Sequence, residues 1–384
     1  MESLKIAFFC WESLYSERVG GLANAATHLA ETLARDHEIH FFTRGTRPSE
    51  EIGGVHYHYC NPWGNDIIHY CANMSHGMVD RFRELDTPSF DVLHFHDWHV
   101  VEAMHLLQER DTVFTYHSTE YGRSGNTFGN GWAYREISAK EWYGGLIARR
   151  VTAVSATLRS EAMHLYNVPE WKIDVVPNGV VPQEYRAIVN PDEVKTAYGI
   201  DPGTPLILFV GRLAWQKGPD ILVDAVPTLL EHQQDGQIVF VGDGHMRPAL
   251  EARSSALPVR FLGHASDADH LQLLNAADVV VIPSRNEPFG LVLLEAWSAE
   301  RCVVASDVGG LAENIEHGTD GVKASPQPES IAEGLISVAG SPDRIAALGR
   351  EGRRKVDRHF RWETIGATLT ETYKKTGEKL APPC

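Results

Sequence analysis

Residues 206–218, LILFVGRLAWQKG, place five apolar residues directly before a loop that begins and ends in glycine. Leu206–Val210 has the length of a buried strand and is too short for a helix. Further along, the same alternation continues. Helical spacing spans Asp220–Glu231, Met246–Ala256, Asp267–Ala276 and Phe289–Ala299, and strand-like runs fall at Gln237–Val241, Val259–Leu262, Val279–Ile282 and Val303–Ser306. Pro227 removes an amide donor from the first of these helices and predicts a kink there. From Ser330 the pattern is helical, ending in Trp362–Lys375.

The chain before this stretch reads the same way. Lys5–Phe9, Glu38–Thr43, Val55–Tyr59, Asp91–Phe95, Thr112–Tyr116 and Arg150–Val154 have strand character. Helical spacing runs from Leu22 to Arg35, over Val100–Gln108, around Arg135–Ala148, and from a Ser155 cap to Leu165. Apolar strands alternating with helices predict parallel sheets covered on both faces. The alternation stops at 176–182, VPNGVVP, and a proline-rich stretch follows as far as Pro205. The expected fold is therefore α/β, with two doubly wound, Rossmann-like domains at residues 1–180 and 206–361 and a linker at 181–205.

Composition removes several classes of function. Hydrophobic residues make up 43% and charged residues 22%, ordinary globular usage that excludes disordered and fibrous chains. The formal net charge is −16, and both halves are acidic, so neither carries the footprint that nucleic acid or an anionic membrane demands. No apolar run approaches a membrane span, and the first residues are too acidic at their flanks for a secretory signal. Five cysteines without C-x-x-C predict neither a disulfide framework nor structural zinc. The expectation is a cytoplasmic protein with no nucleic-acid partner and no stable membrane insertion.

The residues best placed for chemistry follow predicted strands, where ligands of open α/β sheets bind. Gly211 lets the backbone approach a ligand, Arg212 offers a planar fork of donors, and Lys217 is a point charge. Together the two cations can neutralise a diphosphate. Glu287 precedes a helix that Gly290 and Leu291 open with free amides, a ready anion site. Glu295 lies about 7.5 Å along the axis from Gly290, and both carboxylates suit sugar hydroxyls. In the first half, 94–99 reads HFHDWH and 116–123 reads YHSTEYGR. Zinc binding is the sharp alternative there, but H-E-x-x-H and cysteine partners are missing. A hydrogen-bonded core histidine at His117 and a helix cap at Asp97 are the plainer readings. The 241–245 stretch VGDGH lacks the third glycine of a dinucleotide fingerprint, and Walker A and G-x-S-x-G motifs are missing too.

In order along the chain, Arg18–Leu22, His96–His99, His117, Pro177–Val180, Gly211–Leu213 with Gln216–Gly218, Glu287–Gly290 through Glu295, and Phe360–Trp362 resemble the retaining GT-B glycosyltransferases. The likeness is to the glycogen and starch synthase branch, its short archaeal-type members, and the related family 4 hexosyltransferases. It implies the GT-B fold, two Rossmann-like domains facing across a cleft, with a helix at about 362–379 crossing back onto the first. It implies that Arg212 and Lys217 stabilise the diphosphate, that Glu287 binds the donor sugar beside Phe289, Gly290 and Leu291, and that Glu295 binds the ribose. His117 would meet the sugar's 6-hydroxyl, Asp97 would orient the sugar, and Gly21 would approach the phosphates. Arg18 stands where the branch usually carries lysine, and the two cations are not interchangeable.

The expected activity is transfer of glucose from ADP-glucose or UDP-glucose to the end of an α-1,4-glucan, with retention and without a metal or other cofactor. A hexosyltransferase acting on a small-molecule or lipid acceptor is the alternative. An epimerase of the same fold and a non-catalytic sugar-binding protein are the rivals. Because the donor residues fall in the second half and His117 in the first, hinge closure about 181–205 and the terminal helix, triggered by donor binding, is also expected.

Overall fold

The computed structural model describes residues 3–232 and 236–376 and divides into two compact units. The first comprises the chain to Tyr121, Phe128–Gly179, and the chain from Trp362 onward. Its sheet has, among the described residues, eight strands: β1 (Lys5–Phe9), β2 (Glu38–Arg44), β3 (Glu50–Ile52), β4 (Val55–Cys60), β5 (Val92–His96), β6 (Thr112–Tyr116), β7 (Arg150–Ala153) and β8 (Ile173–Val175). They lie in the order β3-β4-β2-β1-β5-β6-β7-β8, all parallel except the β3 edge, which runs antiparallel to β4. Every residue of β5 and β6 is buried, as expected of strands with helices on both faces.

Helices Gly21–Leu33, Ile67–Leu85, Trp132–Ile147 and Ala156–Tyr166 connect strands of this sheet. The Ser155 hydroxyl accepts the Leu158 N–H at 3.0 Å, the cap read from the sequence. Helix Trp362–Thr376 belongs to this unit as well, and residues 377–379 of its expected span lie outside the described residues. It is anchored by Tyr373, whose hydroxyl lies 2.7 Å from His94 Nδ1 on β5, and by an Arg35–Glu363 ion pair at 2.8 Å.

The second unit comprises Gly122–Thr127 and Val180–Arg361. Its strands are β9 (Leu206–Val210), β10 (Gln237–Val241), β11 (Val259–Gly263), β12 (Val279–Ile282), β13 (Cys302–Ser306) and β14 (Val322–Ala324), all parallel, in the order β11-β10-β9-β12-β13-β14. This is the doubly wound order, with its switch point between β9 and β12. The corresponding reversal in the first unit lies between β1 and β5.

The stretch 181–205, expected as a linker, is built into the second unit. Pro182 and Pro191 each open a short helical segment, where a missing N–H costs nothing, and this breaks up the periodicity. Lys195 pairs with Asp278 at 3.2 Å, and the Asn275 side chain donates to Tyr185 O at 3.0 Å, so the stretch is held to the sheet and its helices. Helix Pro219–Glu231 runs through Pro227.

Buried imidazoles make the first unit sensitive to acid. Burial pushes His94 and His96 well below the ordinary value of 6.5, and pushes His58 and His117 to about 3. The unfolded chain binds these protons near pH 6.5 and the folded chain refuses them. Their contribution to stability is thus complete above that pH and is lost as pH falls toward 3. Each such histidine steepens the loss by about 1.4 kcal/mol per pH unit. Urea unfolding followed from about pH 7.5 to 5.5 should show the first unit's midpoint falling, and substitution of His58 by a neutral residue should flatten the slope.

Candidate functional site

In the second unit the loops after β9, β10, β12 and β13 meet through glycine. Gly211 N–H donates to Val241 O at 3.0 Å, and a Cβ on Gly242 would lie 2.0 Å from Gly211 O. Gly218 has a φ of +63°, and a Cβ there would lie 2.1 Å from Pro283 O. This contact presses the β9 loop onto the β12 loop and brings the sequence-predicted residues Lys217 and Glu287 together. Lys217 Nζ donates to both carboxylate oxygens of Glu287, at 3.0 and 2.7 Å. The Ser284 hydroxyl donates to the same carboxylate at 3.0 Å, and Glu287 is only 7% exposed. From behind, Gly310 N–H donates to Glu287 O at 2.8 Å.

Helix Leu291–Ser298 starts beside this pair. Gly290, with a φ of +98°, is its N-cap, and no side chain caps the first amides. Phe289 is buried against Phe360, with ring centroids 6.0 Å apart, which fixes the turn before the helix. Arg212 donates to the Gln216 side chain at 3.3 Å. Glu295 sits one helical turn inside; burial raises its pKa, the Tyr185 hydroxyl donates to it, and His270 Nε2 lies 3.7 Å away. Arg285, by contrast, is a structural cation. It makes a two-pronged pair with Asp220 at 2.8 and 2.6 Å and stacks over Trp215, 3.4 Å from the ring centroid.

In the first unit, β5 and β6 deliver Asp97 and His117 from adjacent strand ends. His117 Nε2 lies 3.1 Å from His96 Nδ1, so the plainer reading of a hydrogen-bonded histidine holds. Asp97 caps the turn Trp98–Val100, its carboxylate accepting the Trp98 N–H at 2.9 Å. Its backbone is unusual: φ is +64° and ψ 173°, a region almost confined to glycine. Arg18 and Gly21 flank the exposed start of helix Gly21–Leu33, which no side chain caps. The loop is held from below by the buried Glu12, whose carboxylate accepts N–H groups of Val19 and Gly20 at 2.5 and 3.0 Å.

The structure therefore gathers Gly211, Arg212, Lys217, Glu287, Phe289, Gly290, Leu291 and Glu295 in one unit, and Arg18, Gly21, Asp97 and His117 in the other. Sequence reasoning missed Ser284, Tyr185, Glu12 and Asn126. Asn126 accepts from the Asn286 side chain at 2.7 Å, and nothing in the sequence marks 122–127 as part of the second unit. Among the described residues no group of three or more His, Cys, Asp or Glu side chains is arranged to hold a metal ion.

The Asp97 backbone gives a direct test of stored strain. Asp97→Gly removes the steric conflict, and glycine also serves as a cap, whereas Asp97→Ala keeps the Cβ and loses the carboxylate. In chemical unfolding the glycine variant should be more stable than the alanine variant by about 1–3 kcal/mol. Equal stabilities would mean that the backbone is unstrained.

Comparison with known proteins finds matches in both halves of the chain. The glycosyltransferase family 4 model matches residues 19–184, and the glycosyl transferases group 1 model matches residues 204–340. An uncharacterized glycosyltransferase of Methanocaldococcus jannaschii is 35% identical, over 98% of this chain and 100% of its own length. A glycogen synthase of Mycobacterium tuberculosis is 29% identical, over 95% of this chain and 94% of its own. Among solved structures, the catalytic domain of starch synthase IV from Arabidopsis thaliana, bound to ADP and acarbose, superposes with a TM-score of 0.79 at 17% identity, covering 98% and 99% of the two chains. With these matches across both halves and the two doubly wound sheets, the chain belongs to the GT-B glycosyltransferases.

Proposed function

We propose that this glycosyltransferase moves glucose from ADP-glucose or UDP-glucose to the end of an α-1,4-glucan, with retention and without a metal ion. The observation that carries the reading is the Lys217–Glu287 pair beside the uncapped start of helix Leu291–Ser298. An ammonium and backbone amides suit a diphosphate, and the fixed carboxylate beside the ammonium suits sugar hydroxyls. The glycogen synthase relative, and a structural neighbour solved with ADP and acarbose, support this choice of donor and acceptor.

In this reading Arg212, Lys217 and the amides of Gly290 and Leu291 neutralise the diphosphate, and Gly211 gives it room. Glu287 accepts from the donor's hydroxyls, and Glu295 accepts from the ribose. His117 meets the hexose 6-hydroxyl, Asp97 orients the hexose, and Arg18 and Gly21 approach the phosphates. The bond from C1 to the phosphate oxygen breaks, and the acceptor hydroxyl oxygen bonds to C1 on the same face. The proton of that hydroxyl passes to the departing phosphate. Lys217 is already in place before the charge develops, which is the condition for electrostatic catalysis.

A screen of nucleotide sugars with glycogen as acceptor tests the reading. ADP-glucose or UDP-glucose should release nucleoside diphosphate as the glucan lengthens, and Glu287→Gln should lower turnover at saturating donor about 10²–10³-fold. That variant keeps an acceptor for Lys217 while removing the charge. Transfer only to a small-molecule or lipid acceptor, or release of free glucose alone, would overturn the glucan assignment.

A further inference from the structure

Three histidines line up across the ends of β5 and β6, and the mechanism above uses only the outermost. His94 is anchored at both nitrogens: Nδ1 to the Tyr373 hydroxyl at 2.7 Å, and Nε2 to the Thr115 hydroxyl at 2.6 Å. Thr115 Oγ1 in turn lies 2.5 Å from Thr152 Oγ1. His96 packs its ring on His94, with centroids 4.0 Å apart, and on Phe8 at 5.0 Å, so it cannot turn freely. Its Nδ1 meets His117 Nε2 at 3.1 Å, and its Nε2 is buried with no hydrogen-bond partner. His96 itself is 0% exposed.

Two neutral rings joined in this way share one proton between the facing nitrogens, and its position fixes both tautomers. If His117 donated from Nε2, His96 would carry its proton on Nε2, as an N–H sealed from water without an acceptor. If His96 donates from Nδ1, that buried atom is a bare acceptor instead. Orphaned buried N–H groups are the rarer defect in folded proteins. The second arrangement leaves His117 with its proton on Nδ1, the nitrogen turned away from His96.

We infer that His96 is a positioning residue: it donates from Nδ1 to His117 Nε2 and so makes His117 Nδ1 a hydrogen-bond donor toward the sugar. The polarity matters because a donor at Nδ1 requires the hexose hydroxyl to accept, which fixes where that hydroxyl's own proton points. The lone buried Nε2 of His96 carries this assignment, since an acceptor beside it would favour the opposite placement of the proton. The inference rests on the reading that His117 meets the donor hexose, but its primary test needs no substrate.

That test is the long-range ¹H–¹⁵N imidazole spectrum of the whole chain, with the His117 signals identified by their loss in His117→Gln. The wild type should show His117 protonated on Nδ1. His96→Phe should remove that bias and shift His117 toward the Nε2-protonated form. His96→Asn, whose amide N–H takes the place of Nδ1–H, should restore the Nδ1 form. With the donor that the screen identifies, His96→Phe should lower kcat about tenfold, the size of one hydrogen bond, with KM for the donor little changed, and His96→Asn should recover most of it. A wild-type His117 protonated on Nε2 would overturn the inference, as would an unchanged tautomer in His96→Phe. If His96→Phe fails to fold, the wild-type and His96→Asn spectra still decide the question. If no nucleotide sugar is turned over, the proposed activity fails while the spectrum still decides the pair.

Discussion

A parallel strand covered on both faces can offer polar side chains to a ligand only beyond its carboxyl end, and much of this molecule follows from that constraint. In each unit the chain reverses its winding beside the first strand, at β1/β5 and at β9/β12. Arg212 and Lys217 follow β9, Glu287 follows β12, Asp97 follows β5 and His117 follows β6. In the second unit the loops after its strands touch without side chains between them. A Cβ at Gly218, Gly242 or Gly309 would lie within 2.0–2.1 Å of a neighbouring carbonyl oxygen, so only glycine allows the approach. Close packing of loop backbones is thus what lets Lys217 reach Glu287.

Charge in this chain is local. With a net of −16, the overall field repels an anionic ligand, and attraction must come from groups held at fixed positions. Arg285 is committed to Asp220 and Trp215, where it stiffens the loop. Lys217 is held by a carboxylate with only 9% of its side chain exposed, so both partners are partly desolvated. Such a pair adds little net stability. It does hold an ammonium and a carboxylate side by side, the preorganisation that the proposed reaction would use.

Much of this was legible in the sequence because its physical causes are local. β6 and β12 fall where short apolar runs predicted them, and the Ser155 cap is where its side-chain chemistry placed it. Helix Ile67–Leu85 was not read, although Ile68, Cys71, Met74, Met78 and Phe82 are buried at helical spacing behind an Asp66 cap. Cysteine and methionine carry that apolar stripe, among histidine, asparagine and glycine, and the pattern is faint for that reason. β3, β8 and β14 have three residues each, too few for alternation to register. The site divides along the same line. Residues beside glycine turns were visible, whereas Ser284, Glu12 and Tyr185 reach their partners through the fold. The strain at Asp97 and the unpaired nitrogen of His96 are tertiary features with no counterpart in sequence.

The central claim is that placed cations and helix amides of the second unit hold a nucleoside diphosphate. Calorimetric titration of ADP and UDP in the presence of EDTA tests this most directly, with the corresponding nucleosides as controls and Lys217→Ala for comparison. The account predicts that at least one diphosphate binds without a divalent ion, that the nucleosides bind far more weakly, and that Lys217→Ala loses most of the difference. Equal binding of nucleoside and nucleoside diphosphate, or binding that appears only when a divalent ion is restored, would contradict it.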